Sequence, residues 1–135
     1  MIITPEEAQR KLRNQADRAF RALVLEAAKR IIYRTPVDTG RARGNWHTSI
    51  DVPEFRADED TDKAGAMTLA EVDGKLNQIK DESVGRVVYL TNGLPYIVPL
   101  ENGSSKQNPA GMVKVTLAEL RPIAEQVAAK VRALQ

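Results

Sequence analysis

Asp58, Asp60 and Asp62 stand at every second position, the spacing by which a calcium loop offers carboxylate oxygens from alternate residues. The match ends there. Lys63 occupies the place where such a loop turns on glycine, and Leu69 the place where a bidentate glutamate closes the coordination sphere. The stretch reads as a solvated acidic loop rather than a metal site. His47 is the single imidazole available as a general base. It falls on the polar side of an alternating segment, so it is expected to be exposed, with no orienting group in sight. Asp38 and Glu101 would make a carboxylate pair only if the fold brought them together, and Asp38 already suits a turn. Gly103-Ser104-Ser105-Lys106 lacks the glycine-rich approach and the Gly-Lys-Ser/Thr order that place amides and lysine on phosphate. Arg41 and Arg43, flanked by Gly40 and Gly44, form a small exposed basic loop able to touch phosphate without reading bases. With no cysteine, thiolate nucleophiles, disulfides and zinc-thiolate sites are excluded together. These residues assemble no catalytic set and no cofactor site.

The elements that would position them can be read from periodicity and caps. Thr4-Pro5-Glu6-Glu7 is a capping box with proline at the first helical position, and Pro36 disfavours helix at Thr35, which predicts a long helix over 5–33. At 100° per residue, Ala8, Leu12, Ala16, Ala19, Phe20, Leu23, Val24, Ala27 and Ile31 share one broad core-facing side. Leu25 and Ile32 lie nearly opposite, beside Arg18 and Arg21, and need a second cover. Such a helix spans about 43 Å, while a domain of 135 residues has a radius of gyration of about 14 Å. A partner subunit along the outer side of the helix is the expectation.

Val37-Asp38-Thr39-Gly40 reads as a turn. Trp46, Thr48, Ile50 and Val52 alternate with polar neighbours as a half-buried strand does. Residues 53–67 lose periodicity and gather acid, an exposed loop. Thr68 to Glu71 repeats the capping-box spacing ahead of a short helix carrying Leu69, Val72, Leu76 and Ile79 on one stripe. Residues 86–92 read as a covered strand followed by an Asn92-Gly93 turn. Residues 94–103, with two prolines, are either an edge strand or an irregular helical turn. Two strands alone are marginal, so a third is expected from this region, from the acidic loop or from a neighbouring subunit. Asn108-Pro109 opens a final helix over 109–134, with Val113, Leu117, Leu120, Ala124, Val127, Val131 and Leu134 on one face and a bend at Pro122. The fold class is α+β: a long N-terminal helix and a C-terminal helix packed on a small antiparallel sheet, with a short middle helix.

The whole chain, 1–135, is one domain by size. No apolar run approaches the ~20 residues that a membrane span needs, and the N-terminus lacks a signal-peptide core, so the chain is expected to stay where it is made. Its charge is segregated: +5 over residues 1–50, −6 over 51–85 and +3 over 86–135. That pattern argues against a general nucleic-acid binder and suits one basic and one acidic face.

Two stretches carry a resemblance. Thr35-Pro36-Val37-Asp38-Thr39-Gly40-Arg41-Ala42-Arg43-Gly44-Asn45-Trp46 follows the long helix, and Tyr89-Leu90-Thr91-Asn92-Gly93-Leu94-Pro95-Tyr96 runs on to Leu100-Glu101-Asn102-Gly103-Ser104 and Pro109-Ala110. A Thr-Pro-Val-Asp-Thr-Gly turn followed by a Tyr…Pro-Tyr…Leu-Glu-x-Gly-Ser segment resembles the tail-completion or neck proteins of long-tailed bacteriophages. The shared positions are Pro36, Val37, Asp38, Thr39, Gly40, Tyr96, Leu100, Glu101, Gly103 and Pro109. Where many relatives continue with a Pro-Phe-Leu-Arg-Pro-Ala-Leu-like strand and helix, this chain has Pro-Ala-Gly-Met-Val-Lys-Val. The resemblance implies a long helix against an antiparallel sheet in a small, ring-forming, non-enzymatic part of the virion's head-to-tail connector. It further implies a hexameric ring, assembled in the host cytoplasm beside neighbouring connector and tail proteins. Contact surfaces expected on this reading are Leu25, Ile32, Arg18 and Arg21 on the helix and Asp58, Glu59, Asp60 and Asp62 on the acidic loop, with Arg41 and Arg43 toward a DNA channel. The alternative is a small nucleic-acid-binding protein using the basic first helix and the Arg41/Arg43 loop.

Overall fold

The computed structural model describes residues 2–133. Helix α1, Pro5–Arg34, begins at the capping box: the Glu7 amide donates to Thr4 Oγ1 at 3.2 Å and the Thr4 amide to Glu7 Oε2 at 3.0 Å. It ends at Thr35, just ahead of Pro36. A short turn of helix, α2 (Arg41–Gly44), leads into strand β1 (Trp46–Ile50). After the acidic segment come α3 (Ala66–Gln78), β2 (Val88–Asn92) and α4 (Ile97–Glu101). The chain closes with α5 (Val113–Ala118) and α6 (Leu120–Ala133).

β1 and β2 pair antiparallel with Thr48 opposite Leu90. Both are shorter than the alternation suggested. At their open end Asp51 turns the chain with φ 66. Its carboxylate takes Arg86 Nε at 2.7 Å and the Val87 amide at 3.2 Å, which terminates the ladder. Among the described residues the sheet has two strands, and the expected third is not there. Residues 94–103 take the helical alternative instead. Pro99 is the third residue of α4, where a missing amide hydrogen leaves no helical bond unmade.

The two strands survive because helices cover them. Ala28 and Ile32 of α1, Trp46 of β1, Val72 and Leu76 of α3, Ile79 and Met112 form the main core, with Ile50, Val88, Leu90 and Val113 packed around it. A second core lies on the other flank of α1, where Ile123, Val127 and Val131 of α6 meet Ala19, Ala22 and Leu23. The protein is α+β, with its long N-terminal helix and C-terminal helical segment packed about a small antiparallel sheet.

This arrangement corrects the helical-wheel assignment of α1. Ile32 is 0% exposed at the centre of the main core and is not left over for a partner, while Leu25 is half-buried at the core's edge and lines an open groove with Arg18 and Arg21. The wheel assumed one buried side, whereas α1 lies between α3 and α6 and is covered on two. Leu12, assigned to the core side, is 65% exposed. Residues 2–14 are exposed throughout, because the body of the domain begins only near Asp17.

The C-terminal helix is likewise not one bent rod over 109–134. It breaks at Glu119, and Pro122 sits in the first turn of α6, where it cannot supply the bond to Ala118 that a continuous helix needs. Asn108 is not the cap. Its amide donates to Arg34 O and to Gly111 O, each at 2.8 Å, and tethers the loop to the end of α1. Leu134 lies outside the described residues. α3 starts at Ala66 from a left-handed Gly65, φ 80, two residues ahead of the expected cap Thr68.

Candidate functional site

Seven of the resemblance positions line one open groove. Pro36, Val37, Asp38, Thr39 and Gly40 form one wall and Tyr96 and Leu100 the other, with Gln107 at the base, enclosing about 440 Å³. Gln107 holds the walls together. Its Oε1 accepts from the Val37 amide and its Nε2 donates to Val37 O, both at 2.8 Å, as a paired strand residue would.

Behind the groove the turn is laced to the acidic segment. Gly40 O accepts the amides of Gly44 and Asp62, each at 2.9 Å. Asn45, fully buried, donates through Nδ2 to Arg41 O at 2.9 Å and Asp58 O at 3.2 Å, and its Oδ1 accepts the Asp58 amide at 2.8 Å. Gly40 has φ 89, and a Cβ there would lie 2.7 Å from the Lys63 amide nitrogen. The resemblance positions Gly40 and Gly103 are thus required by backbone. At Gly103 (φ 91) a Cβ would meet Pro109 O at 2.5 Å.

Arg41 and Arg43 do not form a free basic loop. Arg41 Nε donates to Asp58 O at 2.8 Å and its Nη2 faces Glu59 at 3.2 Å. Arg43 donates to Lys63 O, Tyr33 O and Thr35 O at 2.7, 3.0 and 2.9 Å. Both guanidiniums clamp backbone carbonyls of the segments they join. The three alternating aspartates diverge as well. Asp58 Oδ1 accepts the Asp60 amide at 2.9 Å, while Asp60 and Glu59 are exposed. Asp62 is buried, and accepts the Thr68 amide and hydroxyl, each at 2.7 Å, and the Gly65 amide at 3.0 Å. It caps α3, so it is corrected from contact residue to structural cap. Burial works to raise its pKa, but these hydrogen bonds from Thr68 and Gly65 prevail and the pKa is lowered. Among the described residues no cluster of three histidine or acidic side chains is positioned to hold a metal ion.

His47 is corrected from exposed to 2% exposed. The acidic segment folds back over that side of β1, bringing Arg56 Nη2 to 3.2 Å from Nδ1 and Asp58 Oδ2 to 3.3 Å from Nε2. Arginine can only donate, so Nδ1 is the acceptor in that contact. Asp38 and Glu101 open on different grooves. Glu101 is turned to α5: Oε1 accepts the amides of Met112 at 2.9 Å and Val113 at 2.8 Å, and Oε2 that of Lys114 at 3.0 Å. Burial acts to raise its pKa, and the three amides with Lys114 lower it on balance.

Two polar clusters escaped the sequence reading. Arg21, expected at a contact surface with Arg18, instead closes on buried Asp17 through Nε at 3.0 Å and Nη2 at 2.9 Å, while Arg18 remains exposed. Asp17 also takes the Ser83 amide at 3.1 Å and the Ser83 hydroxyl. The (i, i+4) spacing of Asp17 and Arg21 was legible, but Ser83, from a distant loop, was not. Arg30 and Arg34 converge on Glu119, with Arg30 Nη1 at 2.6 Å from Oε2, and Arg34 Nη1 donates to Thr116 Oγ1 at 2.9 Å. This pins the α5–α6 break to the end of α1.

No protein-family model, curated protein or solved structure gives a significant match to the chain.

Proposed function

We propose that this chain is a non-enzymatic structural subunit of the head-to-tail connector of a long-tailed bacteriophage, a tail-completion or neck protein that joins or closes the tail at the head interface of the virion. The observation that carries the reading is the first three turns of α1. They are capped and helical, yet exposed at every residue, and they present Leu12 to solvent with Ile2 and Ile3 just ahead of the cap. A capped helix that contributes nothing to its own core is suited to burial against another molecule.

The residues best suited to acid–base work are engaged otherwise: Glu101 on the amides of α5, and His47 between Arg56 and Asp58. The partners on this reading are further copies of the chain in a closed ring, six by the resemblance, and the connector and tail proteins above and below. Contact with passing genomic DNA is secondary, since Arg41 and Arg43 are held by backbone carbonyls. A nonsense mutation in the gene tests the proposal. It is expected to yield filled heads and separate tails, with joining restored by the added protein and antibody label at the head–tail junction. Complete, infective particles lacking the chain overturn it. Tight duplex binding that falls steeply with salt would instead favour the nucleic-acid alternative.

A further inference from the structure

Imidazole is the side chain whose charge changes between about pH 5 and 8, and His47 is the only one in the sequence. It is 2% exposed, yet charged groups stand at both ring nitrogens. Nδ1 accepts from Arg56 Nη2 at 3.2 Å. Nε2 has Asp58 Oδ2 at 3.3 Å, out of line for a hydrogen bond, and no other partner among the described residues. β2 contributes the neutral Thr91, opposite His47, and Tyr89, opposite Ser49, on the same side of the sheet. α3 contributes Glu71, which faces the ring across Arg56.

Arg56 has several carboxylates within reach. Its Nη1 lies 3.2 Å from Glu54 Oε1 and its Nε 3.9 Å from Asp58 Oδ2. Nη2, the atom that donates to the imidazole, also lies 4.0 Å from Glu71 Oε1. The arginine side chain is half exposed and has room to turn. Asp58 has less freedom, because Asn45 and Arg41 hold its backbone, so its carboxylate stays beside the ring.

We infer that His47 and Arg56 form a proton-operated switch: a proton taken up at Nδ1 removes the acceptor that Nη2 uses and hands Arg56 over to Glu71 of α3. With the proton bound, two N–H groups and two positive charges would meet inside the protein, an arrangement that the buried ring can relieve only by expelling the arginine. Glu71, now at the outer limit of an ion pair, is the nearest carboxylate for the freed Nη2, and Asp58 supplies the counter-charge to the imidazolium at Nε2. The effect reaches the surface. Glu71 lines an open acidic groove of about 440 Å³ with Glu59, Asp60 and Asp62. Glu59 is paired with Arg41, and Asp62 is spent on Thr68 and Gly65, so covering Glu71 leaves Asp60 alone to present charge there. A proton bound inside is thus read outside as one carboxylate fewer. The switch is independent of the connector reading and holds whichever partner meets the groove.

The test is an NMR titration of the full chain from about pH 8 to about 5.5, a range in which free carboxylic acids stay ionised. It follows the His47 ring, the Arg56 Nε–H group and the Glu71 carboxyl carbon. At the alkaline end the ring nitrogen shifts should show Nδ1 without a proton. On acidification the Arg56 and Glu71 signals are expected to move along the same curve as the ring. His47→Asn keeps an acceptor near the position of Nδ1 and takes up no proton, so both signals should stay flat. Arg56→Gln, a change at an exposed residue, removes the carrier: the ring should still titrate while Glu71 no longer follows it. The inference is overturned if the ring takes up no proton for as long as the protein is folded, if it does so with Glu71 unmoved, or if the Glu71 response survives in Arg56→Gln.

Discussion

Asp17 is 1% exposed, and burial alone would raise its pKa. Hydrogen bonds from the Arg21 guanidinium and from the Ser83 hydroxyl and amide more than offset this, and hold the carboxyl at about 2. The folded value lies below the unfolded 3.8, so the ionised form favours the fold. That contribution, about 2 kcal/mol, is full above pH ~5 and is lost as pH falls through about 2. Urea titrations at pH 7 and in acid should therefore show Asp17→Asn less stable than wild type at neutrality, with the gap narrowing as acid is added. A constant gap would mean that the charge plays no part. Gly40 makes a backbone case at the same scale. Its left-handed φ of 89, and the Lys63 amide nitrogen 2.7 Å from where a methyl group would stand, leave no room for alanine. Gly40→Ala is expected to cost at least about 1–3 kcal/mol, read as a lowered melting temperature.

Single carboxylates decide where elements start. Glu101 answers the first amides of α5, and Asp62 those of α3, although neither stands next to its helix in sequence as an N-cap would. Glu101→Ala should destabilise the protein by about 1–3 kcal/mol and release α5 first, seen as early hydrogen exchange at Met112 to Lys114. Exchange unchanged there would show water replacing the carboxylate without loss. This is also where periodicity misled. Thr68 had the spacing of a capping box, yet it sits inside α3 with its hydroxyl on Asp62. The final amphipathic stripe looked continuous, but Pro122 and the Arg30–Glu119–Arg34 cluster divide it. Caps supplied from elsewhere in the chain leave no local trace for a sequence reading to find.

Across the whole molecule, α1 is both the central support of the core and a projecting arm, and its two halves should respond oppositely to substitution. Ile32→Ala is expected to cost about 2–5 kcal/mol, whereas Leu12→Asp should leave the denaturation midpoint of the monomer unchanged. If Leu12→Asp were equally damaging, the arm would be packed against its own domain. Charge segregation belongs to this scale too. Part of the basic first third and the acidic middle are joined internally, through Arg41 to Glu59 and the Asp58 carbonyl, while Arg10, Lys11 and Arg13 remain on the exposed arm.

The amino-acid sequence alone determined the α+β class, the start of α1 at its capping box, the two strands and the apolar stripe of α3. Each follows from contacts among residues a few positions apart, which period and cap chemistry report directly. Only the tertiary structure decided which sides of α1 are buried, that His47 lies inside under Arg56, that Arg41 and Arg43 clamp carbonyls, and that Asp17 meets Ser83. Each of those depends on partners far away along the chain. A helical wheel records direction about an axis, but not how many neighbours surround that axis or where along it the body of the protein begins.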